Sequence, residues 1–258
     1  MNKQIIIFYH IFANGNYKKI LDFHINELKQ SGLYASIKQI NFGLIYHDKS
    51  DLYYIENLLK CDDKLNLHYA RKFDDLPIKP ISSEPLKCKI QLGEGETIMK
   101  MVEFCKSHPN NNNHIYLFLH TKGASMPDDK SRRKVRLLLG GFDNNISAEE
   151  LRMKIIDTVS HRVIRNWKNI LYKLNTKNLY YLIWNFFWVN GSLLKEFDTT
   201  DYFKYSFRGK QSPISQNGFY TNRHCTATFP LGLYEQVNKK QMFYKNRIQD
   251  SKNIGVYF

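Results

Sequence analysis

Hydrophobic and polar residues follow two different rhythms along the first half of the chain. Short apolar runs rich in β-branched and aromatic residues, beginning with KQIIIFYHIF at residues 3–12, have the length and composition of buried strands. In YKKILDFHINELKQSG, at residues 17–32, apolar residues instead recur every three or four positions, and Ser31 with Gly32 provides a stop signal. The pattern predicts a strand, a loop and a helix at the start of the chain.

The same alternation continues to the middle of the chain. It predicts a second strand at 34–43, a helix at 49–60 capped by Ser50 or Asp51, a third strand at 64–72, a helix at 93–108 and a fourth strand at 115–120. Strands that alternate with helices of this length are typical of βαβ units. We therefore expect an α/β fold with a mainly parallel central sheet covered by helices, of the nucleotide-binding type in its N-terminal half.

The second half of the chain is less regular. Residues 147–174 predict a long helical segment, continuous or broken, with Ser147 and Glu150 as a capping box. The apolar run at 179–197 predicts one strand that turns at Asn190-Gly191 into a short helix. The residues from Asp198 onward are rich in loop-forming, aromatic and basic residues.

Composition and charge limit the classes of partner. A chain of 258 residues with 43% hydrophobic content can bury a sizeable core, and 38 Lys and Arg against 24 Asp and Glu give a net charge of +14. Such a charge suits nucleic acid, anionic lipid headgroups or phosphorylated small molecules. The four cysteines form no C-x-x-C pair, which indicates reduced thiols rather than a zinc or redox site. No apolar run reaches the roughly 18 residues of a membrane span, so we expect a cytoplasmic protein, soluble or peripheral to a membrane.

Candidate chemistry lies in HIYLFLHTKGAS, where a buried strand runs into His120 and Lys122. Ligands of open α/β sheets bind at the carboxyl ends of the strands. An imidazole and an ammonium at alternate positions can meet the two phosphates of a diphosphate, helped by backbone N–H groups around Gly123. The alternative is that His120 only caps the strand and Lys122 is a solvated loop lysine.

Four motifs occur here in the same order as in a group of bacterial and giant-virus glycosyltransferases. They are FYHIFANGNYKKIL with ELKQSGLY, ETIMKMVEFCK, YLFLHTKGAS and WNFFWVNGSLLKEF, and the resemblance spans about residues 5 to 230. It implies a single GT-A-like domain that transfers a sugar from a nucleotide sugar to a glycan or glycolipid acceptor in surface polysaccharide synthesis. Residues 1–125 would bind the nucleotide sugar, residues 126–237 the acceptor, and residues 238–258 would form a basic tail.

The resemblance also bears on the metal. GT-A enzymes carry Asp-x-Asp at this strand end to hold a divalent cation, whereas this chain has His120-Thr121-Lys122. Cationic side chains that neutralise the departing nucleoside diphosphate without a metal are one solution, which gives Lys122 a catalytic role. The other is a manganese or magnesium ion held elsewhere, with Asp74-Asp75 and Asp128-Asp129 as candidate ligands. No metal ligand is assigned.

The remaining site residues follow from the same resemblance. Expected donor-binding residues are Tyr9, His10, Asn14, Thr97, His120, Lys122 and Gly123. For Tyr9, His10 and Asn14, strand-end packing and turn capping are the alternative, and for Glu96 and Thr97 it is capping of a helix N-terminus. Expected acceptor-binding residues are Asn185, Trp188, Asn190 and Arg223.

The general base is the least defined part of the expected site. Related proteins place a glutamate a turn after an arginine, but this chain has Ala227 and Thr228 where that acid would fall after Arg223. His224, Asp201 or Glu235 could serve instead, with inversion or retention both open.

Two rival functions stay open. The missing acid is compatible with a catalytically inactive transferase-like scaffold. The net charge and the aromatic, basic tail at 239–258 are compatible with a nucleic-acid-binding protein, although no nucleic-acid-binding motif is found. An anionic membrane surface is a further candidate partner of the basic residues.

Overall fold

The structure is a computed structural model. It describes residues 3–75, 85–107, 109–121, 148–177, 179–181 and 186–196, with the backbone alone for residues 85–94. The expected boundary at residue 125, most of the expected acceptor-binding half, the tail at 238–258 and the expected capping box at Ser147 lie outside the described residues.

A six-stranded sheet forms the centre of the described fold. The strands are β1 Ile5–Ala13, β2 Ile37–Tyr46, β3 Leu65–Lys72, β4 Ile115–His120, β5 Leu179–Tyr181 and β6 Phe187–Asn190, in the spatial order β3-β2-β1-β4-β6-β5. The first four strands are mutually parallel, and β6 runs antiparallel to both β4 and β5. The predicted α/β fold with a mainly parallel sheet is therefore confirmed.

Helices cover both faces of this sheet. They are α1 Tyr17–Gln30, α2 Leu33–Ser36, α3 Lys49–Lys60, α4 Pro85–Ser107, α5 Ala148–Val159, α6 Trp167–Lys177 and α7 Gly191–Leu194. Short 3₁₀ turns occupy Phe73–Asp75 and Pro109–Asn113, and a π-helical segment, Ser160–Arg165, joins α5 to α6. Among the helices that the structure describes, none combines the length and the apolar character of a membrane span.

All residues of β1 are buried, and alternate side chains enter two different cores. Ile5, Ile7 and Ile11 pack against α1, α3, α5 and α6, together with Trp188 of β6. Ile6 and Phe8 enter the opposite core with α4 and α7. Each fully buried aliphatic side chain of this kind contributes about 1.5–3 kcal/mol to folding. A continuous apolar run such as IIIFY is the expected sequence of a strand covered on both faces.

Two helix starts differ from the sequence prediction. The N-cap of α3 is Asp48, whose carboxylate accepts a hydrogen bond from the Ser50 N–H at 2.7 Å, so the prediction of Ser50 or Asp51 is wrong by two or three residues. Helix α4 begins at Pro85, so Glu96 and Thr97 lie in its interior and the capping role considered for them is wrong. Gly93 and Gly95 suggested a boundary because glycine weakens helices, but the helix continues through both.

The C-terminal elements agree with the sequence in part. The segment at 147–174 is broken, since the π-helical segment and Asn166 separate α5 from α6. The apolar run at 179–197 forms two strands instead of one, because β6 leaves β5 and inserts between β5 and β4. Its turn at Asn190-Gly191 into the short helix α7 is confirmed.

Candidate functional site

The order of the strands creates a switch point at the centre of the sheet. From β1 the chain continues to β2 and β3 on one side and then crosses to β4 on the other side. Loops that leave the carboxyl ends of β1 and β4 diverge there, which opens the crevice in which α/β sheets bind ligands. His10 of β1 and His120 of β4 are paired across this point.

Four residues lie side by side at this level of the sheet. The strand registers pair His120 with His10, His10 with Gly43, and Gly43 with Tyr69, across β4, β1, β2 and β3. We call these four residues the switch-point row. His10 and His120 are only 2% and 3% exposed, so the two imidazoles lie just below the carboxyl edge of the sheet.

Thr97 of α4 joins the two ends of this row by hydrogen bonds. Its Oγ1 lies 2.9 Å from Nδ1 of His10 and also contacts the Tyr69 hydroxyl at hydrogen-bond distance. Gly43 leaves the space that this contact needs, because a Cβ on Gly43 would lie 2.4 Å from Thr97 Oγ1 and 2.6 Å from Cε1 of Tyr69. A glycine inside a strand often marks such a close approach.

The His120 imidazole is held between aromatic rings. Its ring is stacked at 4.4 Å on Phe186, with an interplanar angle of 21°, and at 6.0 Å on Phe118. Phe186 immediately precedes β6, so its place beside His120 depends on the antiparallel pairing of β4 with β6. Sequence reasoning assigned Phe186 to the core and missed this contact, because nothing in the local pattern shows which strand β6 joins.

Thr121 extends the pairing of β1 and β4 beyond the end of β4. Its N–H donates to the His10 carbonyl at 3.1 Å, and its Oγ1 accepts from the Phe12 N–H at 3.1 Å. These two bonds fix the direction in which the chain leaves the sheet. Lys122 and Gly123, the next two residues of the expected diphosphate site, lie outside the described residues.

The exposed rim above the row comes from the other strand ends. Asn14 is exposed in a turn whose N–H donates to the Phe12 carbonyl at 2.9 Å. His47, which follows β2, is exposed and stacks at 4.5 Å on Phe73. Sequence reasoning missed His47, although its position just after a predicted strand was a usable signal.

Arg71 of β3 forms a second rim feature with Glu96 of α4. The guanidinium grips the carboxylate with three hydrogen bonds of 2.7–2.8 Å. These hydrogen bonds, with the negative charge of Glu96, raise the pKa of Arg71 above its usual value. Glu96 is thus engaged by a cation. Arg71 and Tyr69 were both missed by sequence reasoning, although their place near the end of a predicted strand marked them.

Tyr9 points away from the switch-point row. Its ring is fully buried on the α1 face, and its hydroxyl is hydrogen-bonded at 2.7 Å to Nδ1 of His24. Burial lowers the pKa of His24 to about 3, and the charge of His120 lowers it further in the same direction. Burial also raises the pKa of the Tyr9 phenol. The structure therefore brings His10, Thr97 and His120 together but does not bring the Tyr9 ring to them.

Trp188 and Asn190 also lie away from the row. Trp188 is fully buried and donates from Nε1 to the Val163 carbonyl at 3.2 Å, and Asn190 donates to the Leu174 carbonyl at 2.8 Å. Asn190 pairs with Ile115, at the opposite end of β4 from His120. The other expected acceptor and base residues lie outside the described residues: Asn185, Asp201, Arg223, His224 and Glu235.

The carboxylates considered as metal ligands are dispersed within the described part of the chain. Asp74 and Asp75 are exposed, and Asp74 pairs with Lys72 at 3.6 Å. Asp128-Asp129 lies outside the described residues. The described ranges contain no cluster of three or more His, Cys, Asp or Glu side chains that could hold a metal ion.

The described geometry amounts to a rigid, polar strand end at the switch point. Hydrogen bonds fix His10 and Thr121, and aromatic stacking fixes His120. Such an arrangement can hold the segment that follows β4 in one position relative to β1. Comparison of the chain with protein-family models, with curated proteins and with solved structures gave no match in any of the three.

Proposed function

We propose that the protein is a glycosyltransferase of GT-A-like fold that transfers a sugar from a nucleotide-sugar donor to a glycan or glycolipid acceptor in surface polysaccharide synthesis. The observation that carries the proposal is the in-register pairing of His10 with His120 at the switch point. Nucleotides bind at such points in open α/β sheets. The motif resemblance supplies the class of reaction, and the sheet supports the place at which the donor binds.

Lys122 is the proposed ligand of the donor diphosphate. Departure of a nucleoside diphosphate builds negative charge on the β-phosphate, and an ammonium already in place stabilises that charge. Lys122 follows Thr121, whose two hydrogen bonds to β1 anchor the strand end. Because the anchored backbone limits the positions that the next residue can take, little reorganisation is needed when the charge develops.

His120 has a supporting role in this proposal. Its ring is almost completely buried and stacked on Phe186, so it helps to hold the strand end rather than standing free in solvent. The general base remains a proposal on sequence grounds, with His224 and Asp201 as the candidates. The excess of basic residues would favour an anionic donor, and an anionic membrane that carries the acceptor.

Calorimetry tests the donor site directly. UDP, GDP and dTDP, with CMP as the monophosphate control, are titrated into the full chain, and at least one diphosphate should bind below the millimolar range. Lys122→Ala should weaken that binding, whereas Lys38→Ala should not. Lys38 is a matched control because it is an exposed lysine at the opposite, amino-terminal end of β2. If none of the three diphosphates binds, the proposed function is lost.

Turnover distinguishes an active transferase from an inactive scaffold. The protein is incubated with the matching sugar nucleotides and released nucleotide is measured. Loss of one charge-stabilising contact costs about 2.7–4 kcal/mol in the transition state, so Lys122→Ala should lower turnover by roughly 100- to 1000-fold. Nucleotide binding with no turnover on any sugar nucleotide would favour the scaffold. Abolition of wild-type turnover by EDTA, with recovery in manganese, would assign the neutralising charge to a metal instead of Lys122.

A further inference from the structure

The hydrogen-bond chain Tyr69–Thr97–His10 lies beneath the proposed donor site and has no part in the function as stated so far. Thr97 is fully buried in the middle of α4, and its Oγ1 contacts both Nδ1 of His10 and the Tyr69 hydroxyl. A threonine hydroxyl has a single proton. It can therefore donate to one of these two neighbours and must accept from the other.

The acidity and basicity of the three groups decide the direction of the chain. The sp² nitrogen of imidazole is the strongest acceptor among them, and the phenol hydroxyl is a better donor than acceptor because its oxygen lone pair is delocalised into the ring. The favoured order is thus Tyr69 O–H to Thr97 Oγ1, and Thr97 O–H to His10 Nδ1. With Nδ1 as acceptor, the proton of the ring lies on Nε2.

The fold accepts an unfavourable residue for the sake of this contact. Gly43 lies in the interior of β2, where glycine is about 0.5–1 kcal/mol worse than alanine. A side chain there would collide with both Thr97 Oγ1 and the Tyr69 ring. Its φ lies outside the left-handed region, since Gly15 and Gly32 are the positive-φ glycines of the described residues. Space for the chain, and not backbone conformation, therefore explains Gly43.

We propose that Tyr69 and Thr97 are positioning residues that hold His10 in one tautomer, with Nδ1 accepting from Thr97 and the proton on Nε2, so that this N–H donates to an anionic oxygen of the diphosphate. The assignment of the tautomer stands on the hydrogen-bond chain alone. The assignment of its ligand rests on the proposed function. Burial of the whole chain strengthens each of its hydrogen bonds, since the local dielectric is low.

The tautomer can be read by nuclear magnetic resonance. Long-range ¹H–¹⁵N spectra of the full chain with ¹⁵N-labelled histidine report which ring nitrogen carries the proton, and His10→Gln identifies the His10 signals among those of nine histidines. The wild-type spectrum should show protonated Nε2 and an acceptor Nδ1. Thr97→Val, which removes the hydroxyl at nearly constant shape, should give a mixture of both tautomers, and Thr97→Ser should restore the wild-type pattern.

Tyr69→Phe is the second variant, because it deletes one hydroxyl at the partly exposed end of the chain and so protects the test if Thr97→Val fails to fold. Without Tyr69 as donor, Thr97 can accept from Nδ1, and the population with protonated Nδ1 should rise. A wild-type His10 with protonated Nδ1, or a tautomer that neither Tyr69→Phe nor Thr97→Val changes, would overturn the proposal.

Binding separates this inference from the function on which its ligand rests. Titration with UDP, GDP and inorganic pyrophosphate should show about tenfold weaker binding for Thr97→Val and an unchanged affinity for Thr97→Ser. Equal affinities of the wild type and Thr97→Val would remove the diphosphate as the ligand of Nε2. If the tautomers behave as expected but the wild type binds none of the three probes, the proposed function fails while the positioning role of Thr97 stands.

Discussion

Gly43→Ala is the most informative single change in the described structure, because one methyl group enters the most crowded point of the switch-point row. The new Cβ would lie 2.4 Å from Thr97 Oγ1, 2.6 Å from Cε1 of Tyr69 and 2.8 Å from its Cζ. These are all below the separation that real Cβ atoms reach. Neither neighbour is a flexible chain end, since Thr97 is fully buried in α4 and the Tyr69 ring is hydrogen-bonded to it.

The expected loss of stability has three parts. Overpacking of a filled core costs about 1–3 kcal/mol. Displacement of Thr97 from Tyr69 and His10 loses hydrogen bonds of about 1 kcal/mol each. Replacing a strand glycine by alanine returns about 0.5–1 kcal/mol. Gly43→Ala should therefore lower the free energy of unfolding by about 2–4 kcal/mol.

Urea denaturation of four proteins measures this value and its cause. The wild type, Gly43→Ala, Thr97→Ala and the double variant form a cycle, in which the cost of Gly43→Ala should fall by at least about 1 kcal/mol once the Thr97 hydroxyl is absent. Gly32→Ala is the matched control. Gly32 has a φ of +74° and nothing within 4 Å of its modelling-independent Cβ position, so its cost of about 1–2 kcal/mol should come from backbone strain and add to that of Thr97→Ala.

Two results would refute the reasoning. A Gly43→Ala protein within about 0.5 kcal/mol of the wild type, which is the usual range of surface changes, would mean that the row is not tightly packed. An equal cost of Gly43→Ala in the presence and absence of the Thr97 hydroxyl would mean that the collision does not involve Thr97.

Three further changes test the surrounding structure. Arg165→Met should cost about 3–5 kcal/mol in urea denaturation, because it leaves the buried Glu27 carboxylate without its cationic partner, and adding Glu27→Gln should recover part of the loss. His24 has a pKa of about 3 in the folded chain against 6.5 when exposed, so only the unfolded chain takes up its proton in that interval. Stability should thus fall by up to about 1.4 kcal/mol per pH unit below pH 6.5 from this group, and less in His24→Gln, which keeps an acceptor for the Tyr9 hydroxyl. Asp48→Ala should cost about 1 kcal/mol through loss of the α3 cap, whereas Asp48→Asn should cost a few tenths at most.

The elements of the N-terminal half could be predicted because their signals are local. Buried strands such as β1 and β4 have continuous apolar sequences, and α1 and α3 have helical periodicity with polar stop signals. Parallel pairing then follows from the alternation of strands with helices. His10 and His120 could be placed at the same edge of the sheet for this reason, since the carboxyl ends of parallel strands share one edge.

The remaining features depend on long-range pairing, which the sequence does not encode locally. The insertion of β6 between β4 and β5 brings Phe186 to His120 and takes Asn190 to the opposite end of β4. The direction of the Tyr9 side chain depends on a strand register that a shift of one residue would reverse. Tyr69 could have been found only from the pairing of β3 with β2, which aligns it with Gly43.

The contact between His120 and Phe186 links the two parts of the proposed site. His120 and Thr121 lead directly to Lys122, the proposed diphosphate ligand, while Phe186 directly follows Asn185, the first of the proposed acceptor residues. Their rings are stacked at 4.4 Å although the residues belong to different halves of the expected domain. The chain on each side of this contact is tied to the sheet, by the Thr121 hydrogen bonds to β1 and by the pairing of Phe187 with Phe118. A donor ligand and an acceptor residue that extend from these two anchors start from a fixed separation, which is the geometric condition for transfer between two bound substrates.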